Sequence, residues 1–225
     1  MAAVVFRGVR AVLFDLDGTL IDSAPDLGAA AEALRTARGL PPLAPDAYRA
    51  HAGSGARGML RVAFDLTPDH PTYPAMRDEF LNEYERCMLI RTQAFHGVDG
   101  LLQTLSARRI GWGVVTNKAQ RFALPIAQAM PVLAGAGAIV CGDTTPHAKP
   151  HPAPLLEAAR RLALEPSDCI YVGDDLRDIQ AGKAAGMRTV AARYGYLGAA
   201  ALVDDWAADA VIDSPAEVLN LLELP

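Results

Sequence analysis

The chain has 225 residues, enough for one large domain or one and a half ordinary ones, and its 51% hydrophobic and 21% charged residues are an ordinary globular balance. A formal net charge of −5 argues against a general nucleic-acid binder, although it leaves anionic small molecules open, because a local metal or lysine overrides the global sign. Three cysteines (Cys87, Cys141, Cys169) without metal-ligand spacing read as reduced thiols, no run is long enough to span a membrane, and the apolar part of the opening MAAVVFRGVR is too short for a signal peptide, so a cytoplasmic protein is expected.

The first element is the apolar run Val12, Leu13, Phe14, which reads as a strand buried on both faces. It delivers Asp15 at its end and Asp17 two residues later, before a turn at Gly18 and Thr19. Side chains two apart on an extended segment point to the same side. An Asx-type turn accounts for one of these aspartates. Two together repel by roughly 4 kcal/mol at about 4 Å and an effective dielectric near 20, so a positive group is expected between them.

Helical spacing follows. Residues 23–38 carry Leu27, Ala30, Ala31 and Leu34 on one face, with Pro25 near the start. Pro41, Pro42 and Pro45 break the chain, a second helix is predicted over 56–64, and a third over 73–90 with Phe80, Tyr84, Cys87 and Met88 on one stripe. No strand is predicted between residues 22 and 92, so this stretch reads as an all-helical insertion. From Phe95 the pattern alternates: helix 98–108, strand IGWGVVTN, helix 120–130, strand 138–141, a loop holding Lys149, helix 154–164, strand 169–172, helix to Ala185, strand 189–192, a weak strand 210–212 and a final helix. Strict alternation predicts a parallel sheet with helices on both faces, whose ligands collect beyond the carboxyl ends of the strands. Asp15, Thr116 and Asp174 each directly follow an apolar strand, and Lys149 lies in the loop after one, so one site is expected to gather all four.

These residues sit in DLDGTL, VVTN, HAKP and GDDLRD, in the order used by the haloacid dehalogenase superfamily, most of whose members are magnesium-dependent phosphatases, and the chain resembles that family over nearly its whole length. The resemblance implies an α/β fold, a Rossmann-like three-layer parallel sheet with an inserted helical cap: residues 1–21 and 95–225 as the catalytic core and 22–94 as the cap. It implies Mg2+ held by Asp15, the backbone carbonyl of Asp17 and Asp174, with Asp175 and Asp178 as a further ligand or as groups orienting ligands and waters. Asp15 is the nucleophile candidate, since a carboxylate forms an acyl-phosphate, and Asp17 the general acid and base. Lys149 offers a point charge to the phosphoryl oxygens and to Asp15, while the Thr116 hydroxyl and the Asn117 backbone N–H offer donors to the same oxygens.

The run Gly53 to Gly58 matches G-x-G-x-x-G, but helical sequence on both sides sets the dinucleotide reading aside. A cap loop at a helix N-terminus replaces it, with Arg57 either facing substrate or solvated. His51, His147 and His151 share no ligand spacing and read as surface residues. Arg121 and Arg193-Tyr194-Gly195-Tyr196 follow strands near the site mouth and either orient neighbours or simply pack; Arg177 reads as paired with acidic neighbours.

The expected activity is therefore hydrolysis of a small-metabolite phosphomonoester through an aspartyl-phosphate. The cap type and GDDLRD resemble the phosphoglycolate phosphatase branch; GWGVVTNK, RFALPI, GDDLRDI and RYGY are similar to its N-acetylmuramic acid 6-phosphate phosphatases. Both 2-phosphoglycolate and N-acetylmuramic acid 6-phosphate stay open as substrates. The partners expected are a phosphorylated small molecule, with no nucleic acid or membrane, in a monomer or homodimer. A sugar phosphomutase using the same Asp15 is the alternative. A dehalogenase needs neither Asp17 nor a metal. A signalling receiver domain places its acidic pair before the phosphorylated Asp and is about half this length. A silent binding scaffold would have lost some of the chemical positions, and none is replaced.

Overall fold

The computed structural model describes residues 4–44, 46–197 and 202–223; Pro45, one of the three prolines read as chain breakers, lies outside them, as do the first three residues of the opening segment. In chain order the described elements are β1 (Ala11–Phe14), β2 (Ile21–Asp22), α1 (Ala24–Ala37), α2 (Asp46–Arg49), α3 (Gly55–Phe64), α4 (Tyr73–Cys87) and β3 (Gln93–Ala94). They continue with α5 (Val98–Ala107), β4 (Gly111–Val115), α6 (Gln120–Ala129), β5 (Ala138–Val140), α7 (Ala153–Arg161), β6 (Cys169–Gly173), α8 (Leu176–Ala184), β7 (Arg188–Ala192) and β8 (Ala210–Ile212).

Six strands form one parallel sheet in the order β5-β4-β1-β6-β7-β8. All four residues of β1 are buried, because strands flank it on both edges and helices cover both faces. Alternate side chains serve opposite layers. Val12 and Phe14 pack with Leu101, Leu105 and Ile126 from α5 and α6, whereas Ala11 and Leu13 pack with Leu155 and Ala158 of α7 and Ala181 of α8. The chain leaves β1 first towards β4 and β5, then crosses to β6 on the other side, which makes the carboxyl end of β1 the switch point of the sheet.

Between β2 and β3 the four helices pack mainly on one another, α1 on α4 and α3 above all, and their buried side chains continue the core of the α5–α6 face. The two-residue strands β2 and β3 pair antiparallel at the base of this helical segment, Ile21 opposite Ala94. The sequence pattern predicts neither, since two residues carry no periodicity, and it misses the single turn α2 as well. It also runs α4 on to Ile90. The helix ends at Cys87, where the chain is drawn into a clamp by Asp26 of α1, a buried carboxylate that accepts from the backbone N–H groups of Arg91 and Thr92 and from the Thr92 hydroxyl. The final helix is a 3-10 segment, Pro215–Leu221, rather than an α-helix. Leu222 follows it and pairs with Phe6.

Replacing Asp26 with Ala leaves the part-buried backbone donors of Arg91 and Thr92 without their acceptor, at a cost of about 1–2 kcal/mol. Chemical denaturation of Asp26→Ala beside the parent protein measures this, and an unchanged midpoint would contradict the clamp.

Candidate active site

Parallel register sets the geometry. The N–H of Asp15 bonds Val172 O at 2.9 Å and that of Thr116 bonds Val140 O at 2.9 Å, so the ends of β1, β4, β5 and β6 stay level. Beyond them lies a cavity of about 510 Å3. Asp15, Asp17, Thr116, Asn117, Lys149, Asp174, Asp175 and Asp178 line it from the sheet side, and Arg57 at the start of α3 lines it from the helical side.

Asp15, Asp174 and Asp178 each present a carboxylate oxygen within 4.8 Å of the others. One ammonium faces them. Lys149 Nζ lies 2.8 Å from Asp15 Oδ1 and 2.7 Å from Asp178 Oδ1, and donates to Val115 O and to the Tyr171 hydroxyl. Its own backbone is held by the Asn117 amide, which donates to Lys149 O and accepts from its N–H, both at 2.9 Å. Burial pulls the Lys149 ammonium down, but Asp15 and Asp178 hold it above its ordinary value.

Three buried carboxylates against one cation leave negative charge uncompensated. Burial pushes the Asp15 carboxyl up to about 7, opposed by Lys149 and assisted by repulsion from Asp178 and Asp17. Burial likewise raises Asp174 well above the usual carboxylate range, with Asp15 and Asp178 adding to it, although the Tyr196 N–H and Thr19 hydroxyl both donate to Asp174. Asp15 Oδ1 is buried and, despite its closeness to Lys149, receives no hydrogen bond of acceptable direction. An all-oxygen donor set with an orphaned carboxylate oxygen and excess negative charge fits a hard divalent cation.

Close approach of the turn after β1 brings this cluster together. Gly18 adopts φ +87°, and a Cβ there would fall 2.1 Å from Asp174 Oδ2, so only glycine lets the DLDGT turn lie against the end of β6.

Asp17 is placed differently. Its carboxylate accepts from the Ser23 hydroxyl and from Lys118 Nζ at 3.0 Å, and it is not one of the clustered three. Lys118 is nearly buried, over the Tyr84 ring with Nζ 4.8 Å from its centroid. Sequence reasoning misses both Lys118 and Tyr84. Lys118 is detectable as the cation one residue beyond VVTN; Tyr84 looks like one more apolar position on the α4 stripe.

Asp175 caps α8, accepting from the Arg177 N–H, and Asp178 returns the bond by accepting from the Asp175 N–H. Arg177 pairs with Asp175 as read from sequence, but it also reaches the helical segment by donating to Gly53 O at 2.8 Å. Arg57 lies at the cavity wall but is exposed. Arg121 pairs with Glu85 of α4, and Arg193 with Asp204 and Asp213 at the surface. Tyr196 orients its neighbours: its N–H holds Asp174 and its hydroxyl accepts from the N–H groups of Ser23 and Ala24. The run from Gly53 to Gly58 meets α3 through a 3-10 turn, with no strand before it. The His147 and His151 rings lie 4.4 Å apart at the surface and take no part in the carboxylate cluster. All three cysteines are free, and among the described residues no helix is long and apolar enough to cross a membrane.

Comparison with known proteins agrees with this arrangement. An N-acetylmuramic acid 6-phosphate phosphatase of Pseudomonas aeruginosa is 41% identical over 215 residues, covering 96% of this chain and 95% of that protein. A phosphoglycolate phosphatase of Xanthomonas campestris pv. campestris is 43% identical over 216 residues, covering 94% and 96%. The crystal structure of a predicted phosphoglycolate phosphatase from Haemophilus somnus 129PT superposes with a TM-score of 0.82 at 27% identity, covering 95% of this chain and 97% of that one. The model of the haloacid dehalogenase-like hydrolases matches residues 12–192, and the chain belongs to that family.

Proposed function

We propose that the protein is a magnesium-dependent phosphatase that hydrolyses a small-metabolite phosphomonoester through an aspartyl-phosphate. One observation carries this reading: a buried trio of carboxylates around Lys149, beside the Thr116 hydroxyl and the Asn117 N–H, at the switch point of a parallel sheet. Family membership and the relatives named as phosphatases support it.

Asp15, Asp174 and the carbonyl of Asp17 would hold Mg2+, with Asp178 steadying the set through Lys149. When bound, the cation neutralises phosphoryl charge and so lowers the barrier to anionic attack. Lys149, Thr116 and Asn117 donate to the phosphoryl oxygens. The Asp15 carboxylate attacks phosphorus, a P–O bond forms, and the ester P–O bond breaks. Asp17 in its protonated form gives its proton to the leaving oxygen and becomes the carboxylate that Lys118 and Ser23 hold. Asp17 then takes a proton from water as that water attacks the aspartyl-phosphate, which frees Asp15 and releases inorganic phosphate. Arg57 borders the substrate from the helical side. Asp175 acts at a distance, by capping α8 and fixing Arg177.

The helical block 22–94 serves as a cap on the core formed by residues 1–21 and 95–225. It closes the cavity through Arg177 to Gly53 O, Arg121 to Glu85 and the stacking of Lys118 on Tyr84. The leaving group occupies the space between cap and core, and the two substrates named for the relatives, 2-phosphoglycolate and N-acetylmuramic acid 6-phosphate, are the compounds to test.

Asp15→Asn abolishes measurable phosphate release from either compound; near-normal rates would refute the nucleophile. Asp17→Asn slows turnover by about 10²–10⁴-fold, the usual worth of an acid–base group, in the same assay. Chelation silences the enzyme and Mg2+ restores it, whereas activity indifferent to chelator would count against the metal site.

Stability carries the same signature. An unfolded Asp ionises near 3.8, but Asp15 in the metal-free fold does so near 7, so the folded form holds an extra proton between those values. Metal-free stability is therefore lost as pH rises through that window. Mg2+ favours the ionised carboxylates and releases their protons. Melting curves with and without Mg2+ should separate more at pH 8 than at pH 5, and an equal separation would contradict the charge account.

A further inference from the structure

Among the described residues only two buried side-chain polar atoms have no hydrogen-bond partner, Asp15 Oδ1 and the Tyr84 hydroxyl. Both residues line the same cavity. Leaving such a group unpaired is costly, and native proteins rarely tolerate it without a reason. For Asp15 the proposed function supplies the reason, since its carboxylate would hold the cation and attack the phosphate. Tyr84 lies on α4, outside every chemical step described above, and needs a reason of its own.

The ring cannot turn away to find a partner. Tyr84 is 1% exposed, lies parallel to Phe80 with centroids 6.3 Å apart, and is tilted at 54° against Phe122 at 5.5 Å. Lys118 lies over its face on the side of Asp17, and its ammonium opposes the rise of the phenol, but it makes no hydrogen bond of acceptable geometry to the hydroxyl and is itself engaged by Asp17. Burial pushes the phenol up to about 12, so it stays protonated and is both donor and acceptor near neutrality. Around it the walls are apolar or aromatic: Leu27, Tyr73, Phe80, Leu81 and Phe122. A cavity of about 510 Å3 is within the range that buries ligands well beyond two carbons. A two-carbon acid leaves these walls facing water, whereas a saturated ring with apolar faces covers them and carries polar substituents for the phenol.

We propose that Tyr84 is a specificity-determining residue, its hydroxyl hydrogen-bonding a polar substituent of a ring-sized leaving group, so that the preferred substrate is a phosphorylated sugar derivative rather than the phosphate of a two-carbon acid. This rests on the phosphatase reading. The contact is made from the cap to the part of the substrate that leaves, while phosphoryl recognition stays with Lys149, Thr116 and Asn117 on the core.

The test is steady-state kinetics of the full-length wild type and Tyr84→Phe, with Mg2+, on N-acetylmuramic acid 6-phosphate and 2-phosphoglycolate side by side. The phenylalanine keeps the ring packing and removes only the hydroxyl, and a melting curve checks that the fold is intact. The wild type should have the higher kcat/KM on the sugar phosphate. Tyr84→Phe should lower that value about 3- to 10-fold, mainly through KM, and should lower the ratio between the two substrates by a similar factor, the usual effect of one neutral hydrogen bond. An equal loss on both substrates would mean that Tyr84 acts through Lys118 and Asp17, and would overturn the assignment. No change on either would mean that no substrate group reaches the hydroxyl, which overturns it too, as does a wild type that prefers 2-phosphoglycolate. A wild type that hydrolyses neither these nor any other phosphomonoester fails at the earlier step and removes the phosphatase reading itself.

Discussion

Charge balance around Lys149 governs this structure. A single buried ammonium touches Asp15 and Asp178, with Asp174 close by, and the trio is held where the central strands end. In a low-dielectric interior like charges at this spacing repel strongly, and one lysine does not cancel three carboxylates. The fold nevertheless maintains the arrangement through many fixed bonds: the Asn117 amide on the Lys149 backbone, the reciprocal cap at the start of α8, Thr19 and Tyr196 on Asp174, and Tyr171 beneath. Such a concentration of unfavourable charge in one spot marks a site built for an external cation and anion.

The second charged pair has another character. Asp17 and Lys118 neutralise each other at the edge of the cavity, and their neighbours belong to the helical segment: Ser23 just before α1 and Tyr84 on α4. Further polar links reach across in the same way, including Arg121 to Glu85 and Arg177 to Gly53 O. The carboxylate trio is therefore held mainly by the ends of β1 and β6, the start of α8 and the loops beside them, whereas the surroundings of Asp17 are shared with the helical segment.

The curated relatives make a related point. Two proteins of nearly equal identity to this chain, 41% and 43%, carry the names of different substrates. Overall similarity thus does not select between them. The walls contributed by α1, α4 and α6 (Leu27, Tyr73, Phe80, Leu81, Tyr84 and Phe122) carry no charged side chain among these residues, so under the proposed reading shape and single polar contacts discriminate there.

Much of the fold is legible from residue patterns. Fully apolar runs ending in Asp15, Thr116 and Asp174, alternating with helical periodicity, are enough to imply a parallel sheet and one shared rim, because strand polarity forces those ends to the same side. The signatures DLDGT, VVTN, HAKP and GDDLRD place Asp15, Thr116, Lys149 and Asp174 at that rim through local sequence alone. Contacts between distant segments are invisible there: Asp26 clamping Arg91 and Thr92, Lys118 on Asp17, the Asn117 amide on Lys149, Asp178 joining the trio from the first turn of α8. Short β2 and β3 escape for want of periodicity, and the 3-10 form of the last helix leaves no mark in the residue pattern. Sequence by itself determined which chemical groups the strand ends present, since that depends on neighbours in the chain. Only the tertiary structure decided how those groups share charge and which hydroxyl, that of Tyr84, is left without a partner, since both depend on packing between segments far apart in sequence.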